Sequence, residues 1–161
     1  MTDTPWHGDA CSLVDAFRAG ERSPVEELEA TLAAIEASDL NCFAYVDTEQ
    51  ARRRAADADV SMPFGGVPTG IKELEPVAGW PFTEASLVFK DRVADRTSHH
   101  IGRLLERGGV VPVGSTTASE FGGLNVSVTR MNGVTHNPWR HGRTAGGSSG
   151  GSASAVAGGF V

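Results

Sequence analysis

A chain of 161 residues is long enough for one domain with a real core and too short for two comfortable ones. With 40% hydrophobic and 21% charged residues and a net charge of -6 at pH 7, it falls in the globular class, and its acidity argues against a direct nucleic-acid surface. Cys11 and Cys42 are too few for a disulfide framework, the start MTDTPWHGDA lacks the basic and apolar regions of a secretory signal, and no run nears the ~18 apolar residues of a membrane span, so the expected setting is cytoplasmic with reduced thiols.

The first sixty residues read as helical. Residues 12–19 are amphipathic and stop at Gly20. In SPVEELEATLAAIEAS, Ser23 is a cap, Pro24 suits the first helical position and Glu26 completes a capping box. Leu28, Leu32 and Ile35 form the apolar face of that helix. Phe43–Val46 is strand-like, and residues 48–57 return to helix, with Arg52, Arg53 and Arg54 on it. Residues 63–68 are turn-rich, residues 67–73 read as a short strand, and residues 75–97 look irregular. Thr97 or Ser98 then caps a helix to Arg107, which Gly108 and Gly109 stop. VVPVG at 110–114 is a short apolar strand that Pro112 demotes to an edge or a bulge. A helical turn over 116–122 and loop over 123–147 precede the Gly/Ser stretch and an Ala/Val segment suited to a buried helix. Helices alternating with short strands make the class α/β.

The stretch GRTAGGSSGGSASAVAGG, residues 142–159, holds seven glycines and four serines. A flexible linker is the plain reading, but the stretch runs into Ala153–Val156, which calls for burial. A phosphate cradle lacks both the G-x-G of a dinucleotide site and a following lysine. A nucleophile elbow G-x-S-x-G fits Ser148 and Ser149 in turn, yet it needs a strand directly before it, and HNPWRHGRTA does not read as one. The remaining reading takes Gly146, Gly147, Gly150 and Gly151 as permission for unusual backbone and close approach around Ser148.

A serine so placed needs a base. The five histidines have no spacing that dictates a role, and none has the Cys or carboxylate pattern of a metal site, so neither metal nor cofactor is expected. Only two lysines stand against twelve arginines. Lys90, in VFKDR, sits among charges. Lys72, in GVPTGIKEL, sits among small and apolar residues, where burial favours a neutral amine, which is a general base. The alternative is an edge residue paired with Glu73 or Glu75.

Taken together, GVPTGIKEL, EFGG at 120–123, HNPW at 136–139 and RTAGGSSGGSASAVAGG resemble the amidase signature family, in order, from about residue 12 to Val161. Glu73 departs from the Asp more usual after the lysine, and ELEPVAGWPFTEAS lacks the usual Asp-Asn or Asp-Leu beginning, which bears on substrate choice. The resemblance implies a mixed β-sheet flanked by helices and a Ser–cis-Ser–Lys triad. In it Lys72 is the base, Ser148 the bridging serine after a cis bond, and Ser149 an accessory serine. The nucleophile of the family lies roughly two dozen residues beyond the bridging serine, and Ser152 and Ser154 are too close to replace it. The expectation is therefore the N-terminal portion of one amidase domain, with residues 1–60 a helical lead-in and 61–161 the start of the catalytic core, inactive alone. The implied substrate is a small-molecule amide. A homo-oligomer, or partner subunits as in the A subunit of a Glu/Asp-tRNA amidotransferase, and a non-catalytic remnant are the other readings.

Overall fold

The computed structural model describes residues 4–161. Helix α1 covers Ala10–Ala19, two residues longer at its start than the pattern alone gives, because Asp9 caps it by accepting from the Ser12 N–H. It ends at Gly20, whose left-handed backbone (φ 72°) favours a residue without a Cβ. Helix α2, Pro24–Glu36, opens on the expected capping box: the Ser23 hydroxyl accepts from the Glu26 N–H, and the Glu26 carboxylate accepts from the Ser23 N–H. Strand β1 is Phe43–Val46, and helix α3, Thr48–Ala56, is capped by Asp47.

Strands β2 (Pro68–Lys72) and β3 (Val111–Thr116) complete a three-stranded sheet in the order β1-β3-β2. β3 runs parallel to β2 and antiparallel to β1. Pro112 therefore lies in the central strand and not at an edge. The strand accommodates it by a register shift, since Thr69 pairs with Pro112 and Gly70 with Gly114, leaving Val113 as the extra residue. The bulge foreseen as the other consequence of Pro112 is what the sheet contains. At Gly114 the β1 backbone comes so close that a Cβ would overlap the Tyr45 carbonyl oxygen.

The parallel pair needs a long crossover. Residues 73–98 supply most of it as irregular chain with one turn at Leu87–Phe89. Helix α4, His99–Arg103, follows and continues as a wider π-type turn to Gly108, before Gly109 stops it at φ 79°. The crossover is pinned by the Trp80 ring, buried with Ile71, Val77 and Ile101. Its indole N–H donates to Asp47, the α3 cap, at 2.9 Å. On α2 and α3, Leu28, Ala51 and Ala55 close over Val111 and Val113, with Leu32 and Ile35 beside them.

Residues 123–147 are not plain loop. They fold as two small antiparallel hairpins, β4 (Val128–Thr129) with β5 (Gly133–Val134), and β6 (His136–Asn137) with β7 (Arg140–Thr144). The second sits within HNPWRHGRTA. The Asn137 side chain accepts from the Trp139 N–H at its tip, a local turn bond, and Pro138 fits the same turn. Every residue of β7 is exposed, so no apolar alternation marks it. Helix α5, Gly150–Ala157, buries Ala155 but leaves Val156 at 65% exposure.

Leu28→Ala should cost about 2–5 kcal/mol in urea unfolding, and Val88→Ala, at a side chain 75% exposed, under about 0.5 kcal/mol. Equal losses would contradict the core assignment. The thiols give a second check. Cys11 is exposed, and burial pushes the Cys42 thiol up to about 11. A thiol reagent at mildly alkaline pH is expected to modify Cys11 quickly and Cys42 only after denaturant is added.

Candidate active site

Lys72 is the last residue of β2 and lies beside Thr116, the last residue of β3. Its side chain is half-buried, and its Nζ donates to the Ser148 Oγ at 2.8 Å across 76 residues of sequence. Glu75 instead faces His100 at 3.3 Å, and Glu73 turns to other partners, so the pairing of Lys72 with a neighbouring acid is not what forms. Lys90 is exposed beside Asp91.

Ser148 is presented by the Gly-rich loop between β7 and α5. Gly146 takes φ 84°, and the Gly147–Ser148 peptide bond is cis. The loop is held by its neighbours. The Ser148 carbonyl accepts from the Ser119 N–H at 3.1 Å, and the Gly150 N–H donates to the Ser127 hydroxyl at 3.0 Å. A Cβ on Gly147 would stand 2.5 Å from the Val126 nitrogen, and one on Gly151 would overlap the Thr117 nitrogen. Close approach of backbone is thus the reason for glycine at 147 and 151. Ser149 is the residue before α5 and makes no side-chain cap bond there.

Small hydroxyls seat α5 on the sheet. Thr116 Oγ1 and Ser152 Oγ are 2.6 Å apart, Ser154 donates to the His136 carbonyl at 2.8 Å, and the Gly151 N–H donates to the Thr117 carbonyl at 2.9 Å. Thr117 in turn shares a 2.6 Å contact with Thr135, whose hydroxyl donates to the Asn41 carbonyl. Ser152 and Ser154 are engaged in these contacts.

Glu73 is the residue that the sequence marks as a neighbour of Lys72 and as a departure from the Asp more usual there, with no sign of its long-range partners. It is 2% exposed. Its Oε1 accepts from the Ala118 N–H at 2.6 Å, and the Asn132 side-chain amide donates to both carboxylate oxygens at 2.8 Å. Burial pushes its carboxyl above the usual range, opposed by those donors and by the Thr83 hydroxyl beside it. The Asn132-Gly133 pair after the alternating Val126-Ser127-Val128-Thr129 is a local turn signal, but the contact of Asn132 with Glu73 spans 59 residues and has no local mark.

A lysine amine within hydrogen-bond reach of a serine hydroxyl is a geometry in which a proton can pass between the two. Among the described residues no group of three or more His, Cys, Asp or Glu could hold a metal ion, and no helix is long and apolar enough to cross a membrane.

The family model described as Amidase matches residues 26–161. The chain is 39% identical over 139 residues to the A subunit of the glutamyl-tRNA(Gln) amidotransferase of Methylacidiphilum infernorum, an alignment covering 85% of this chain and 28% of that protein. It is 35% identical over 153 residues to the 6-aminohexanoate-cyclic-dimer hydrolase of Paenarthrobacter ureafaciens, covering 92% of this chain and 31% of the relative. Its fold superposes on a solved structure of 6-aminohexanoate cyclic dimer hydrolase complexed with substrate at a TM-score of 0.88 and 34% identity, over 95% of this chain and 32% of that one. The chain thus spans under a third of the length of these relatives. With its α/β fold, its order of motifs and a family match over most of its length, the chain belongs to the amidase signature family.

Proposed function

We propose that this chain carries the proton-relay half of an amide-hydrolysing site, with Lys72 as base and Ser148 as the bridging serine. The observation that supports it above others is the 2.8 Å contact between Lys72 Nζ and Ser148 Oγ. As base, Lys72 takes the Ser148 proton while Ser148 takes one from a nucleophilic serine. That serine attacks the carbonyl of a small carboxamide and forms an acyl-enzyme. Backbone N–H groups steady the oxyanion, the relay returns a proton to the departing amine or ammonia, and water releases the acid. Ser149 and the glycines at 146, 147, 150 and 151 shape the loop around the relay.

The nucleophile in this reading lies outside residues 1–161. The engagement of Ser152 with Thr116 and of Ser154 with the His136 carbonyl supports that, as does the share of each relative that the chain spans. The chain is then the N-terminal portion of one amidase domain, cytoplasmic, acting on a small-molecule amide, with residues 61–161 the start of its catalytic core. A second reading, the A subunit of a tRNA-dependent amidotransferase working with partner subunits, is favoured by the 39% identity to one such protein. Co-purification with two partners separates the two.

Purified 1–161 is expected to show no turnover of a simple carboxamide; turnover that Ser148→Ala abolishes would place the nucleophile within the chain. In a full-length protein carrying this sequence, Lys72→Ala should lower the acylation rate by roughly 10²–10⁴ with an unchanged far-UV spectrum. Near-normal kinetics in that variant removes Lys72 as the base.

A further inference from the structure

Lys72 and Ser148 come from distant parts of the chain, and one side chain touches the supports of both. Glu73 follows Lys72 directly, and its backbone N–H donates to the Thr116 carbonyl at 3.0 Å, fixing the end of β2 against β3. Its carboxylate accepts from the Ala118 N–H at 2.6 Å. The next residue, Ser119, donates its own N–H to the Ser148 carbonyl. Glu73 therefore grips the peptide adjoining the one that holds Ser148, while its main chain continues from Lys72. The grip is closed from outside by Asn132, at the turn between β4 and β5, whose amide bonds both carboxylate oxygens. Asn132 is itself held: its N–H donates to the Thr129 hydroxyl at 2.9 Å, and its carbonyl accepts from the Asn41 side chain at 2.7 Å.

A carboxylate this buried is costly unless its oxygens are satisfied. An apolar residue would fill the space without that cost, so the acid is explained by what it bonds. We propose that Glu73 and Asn132 form a positioning clamp that holds the Lys72–Ser148 pair in register. Neither residue is assigned contact with substrate. The proposal rests on the reading of Lys72 and Ser148 as the working pair, and its test separates the two claims.

The chain contains only two lysines, and Lys90 is exposed, which provides an internal reference. The purified chain is acetylated with limiting acetic anhydride, and the Lys72 to Lys90 modification ratio is read by peptide mass spectrometry. Cys42 accessibility reports whether the core is intact. Ser148→Ala should raise the ratio by freeing the amine. Asn132→Ala and Glu73→Gln should each raise it at least about threefold with Cys42 still protected, the size expected for residues coupled in one hydrogen-bond network. Glu73→Gln leaves an amide facing the Asn132 amide, and adding Asn132→Asp restores a donor to an acceptor, so the double variant should return towards the parent ratio. If Glu73→Gln exposes Cys42, the intact Asn132→Ala variant decides.

An unchanged ratio in Asn132→Ala and Glu73→Gln, with Ser148→Ala raised, overturns the clamp and leaves the relay standing. An unchanged ratio in Ser148→Ala removes the contact under both readings, and the clamp falls with it. Loss of thermal stability alone, with the ratio fixed and no recovery in the double variant, also counts against it.

Discussion

The exit of β3 must satisfy a row of backbone groups away from water, and four separate segments meet there to do it. The Thr116 carbonyl takes the Glu73 N–H, the Thr117 N–H goes to the Cys42 carbonyl, and the Thr117 carbonyl takes the Gly151 N–H. The Ala118 N–H goes to the Glu73 carboxylate and the Ser119 N–H to the Ser148 carbonyl. Burying any of these groups unpaired costs on the order of 1–3 kcal/mol. Residues 116–119 therefore fix β1, β2, the Gly-rich loop and α5 to one another, and the Lys72–Ser148 contact follows from that arrangement.

The apolar packing is placed elsewhere. Leu28 with Val111 and Val113, and Trp80 with Ile71 and Ile101, pack strands, helices and crossover together. Hydrophobic burial holds the sheet to its helices without favouring any one direction, whereas the polar exit of β3 sets orientation. The two meet at Cys42, whose carbonyl takes the Thr117 N–H while its side chain packs with Ala155 and Phe160.

Elements whose signals are local were legible in the sequence. The capping box at Ser23 and Glu26, the stop at Gly20 and the short strands at 43–46 and 68–72 are each marked within a few residues. Pro112 pointed to two outcomes, and the sheet resolves them: β3 is central, and the bulge carries the mismatch. The second of the hairpins, 136–144, was not legible, because β7 is exposed along its whole length and shows no period of two, whereas Asn132-Gly133 does mark the turn of the first. At the site, Lys72 Nζ and Ser148 Oγ lie 2.8 Å apart across 76 residues. Glu73 and Asn132 were out of reach, since a buried acid beside a lysine reads as a surface ion pair until its long-range partners are seen.

The seating of α5 also sets how the helix can err. Its contacts with β3 and β6 run through hydroxyls and backbone groups, Ser152 to Thr116, Ser154 to the His136 carbonyl and the Gly151 N–H to Thr117, while Ala155 on the same helix packs with Cys42 and Phe160. Here a small rotation breaks named bonds at once and leaves buried hydroxyls without partners. The helix that follows Ser148 behaves as a keyed part with one seat, so the loop inherits its angular precision from alcohol side chains as well as from the packing of Ala155.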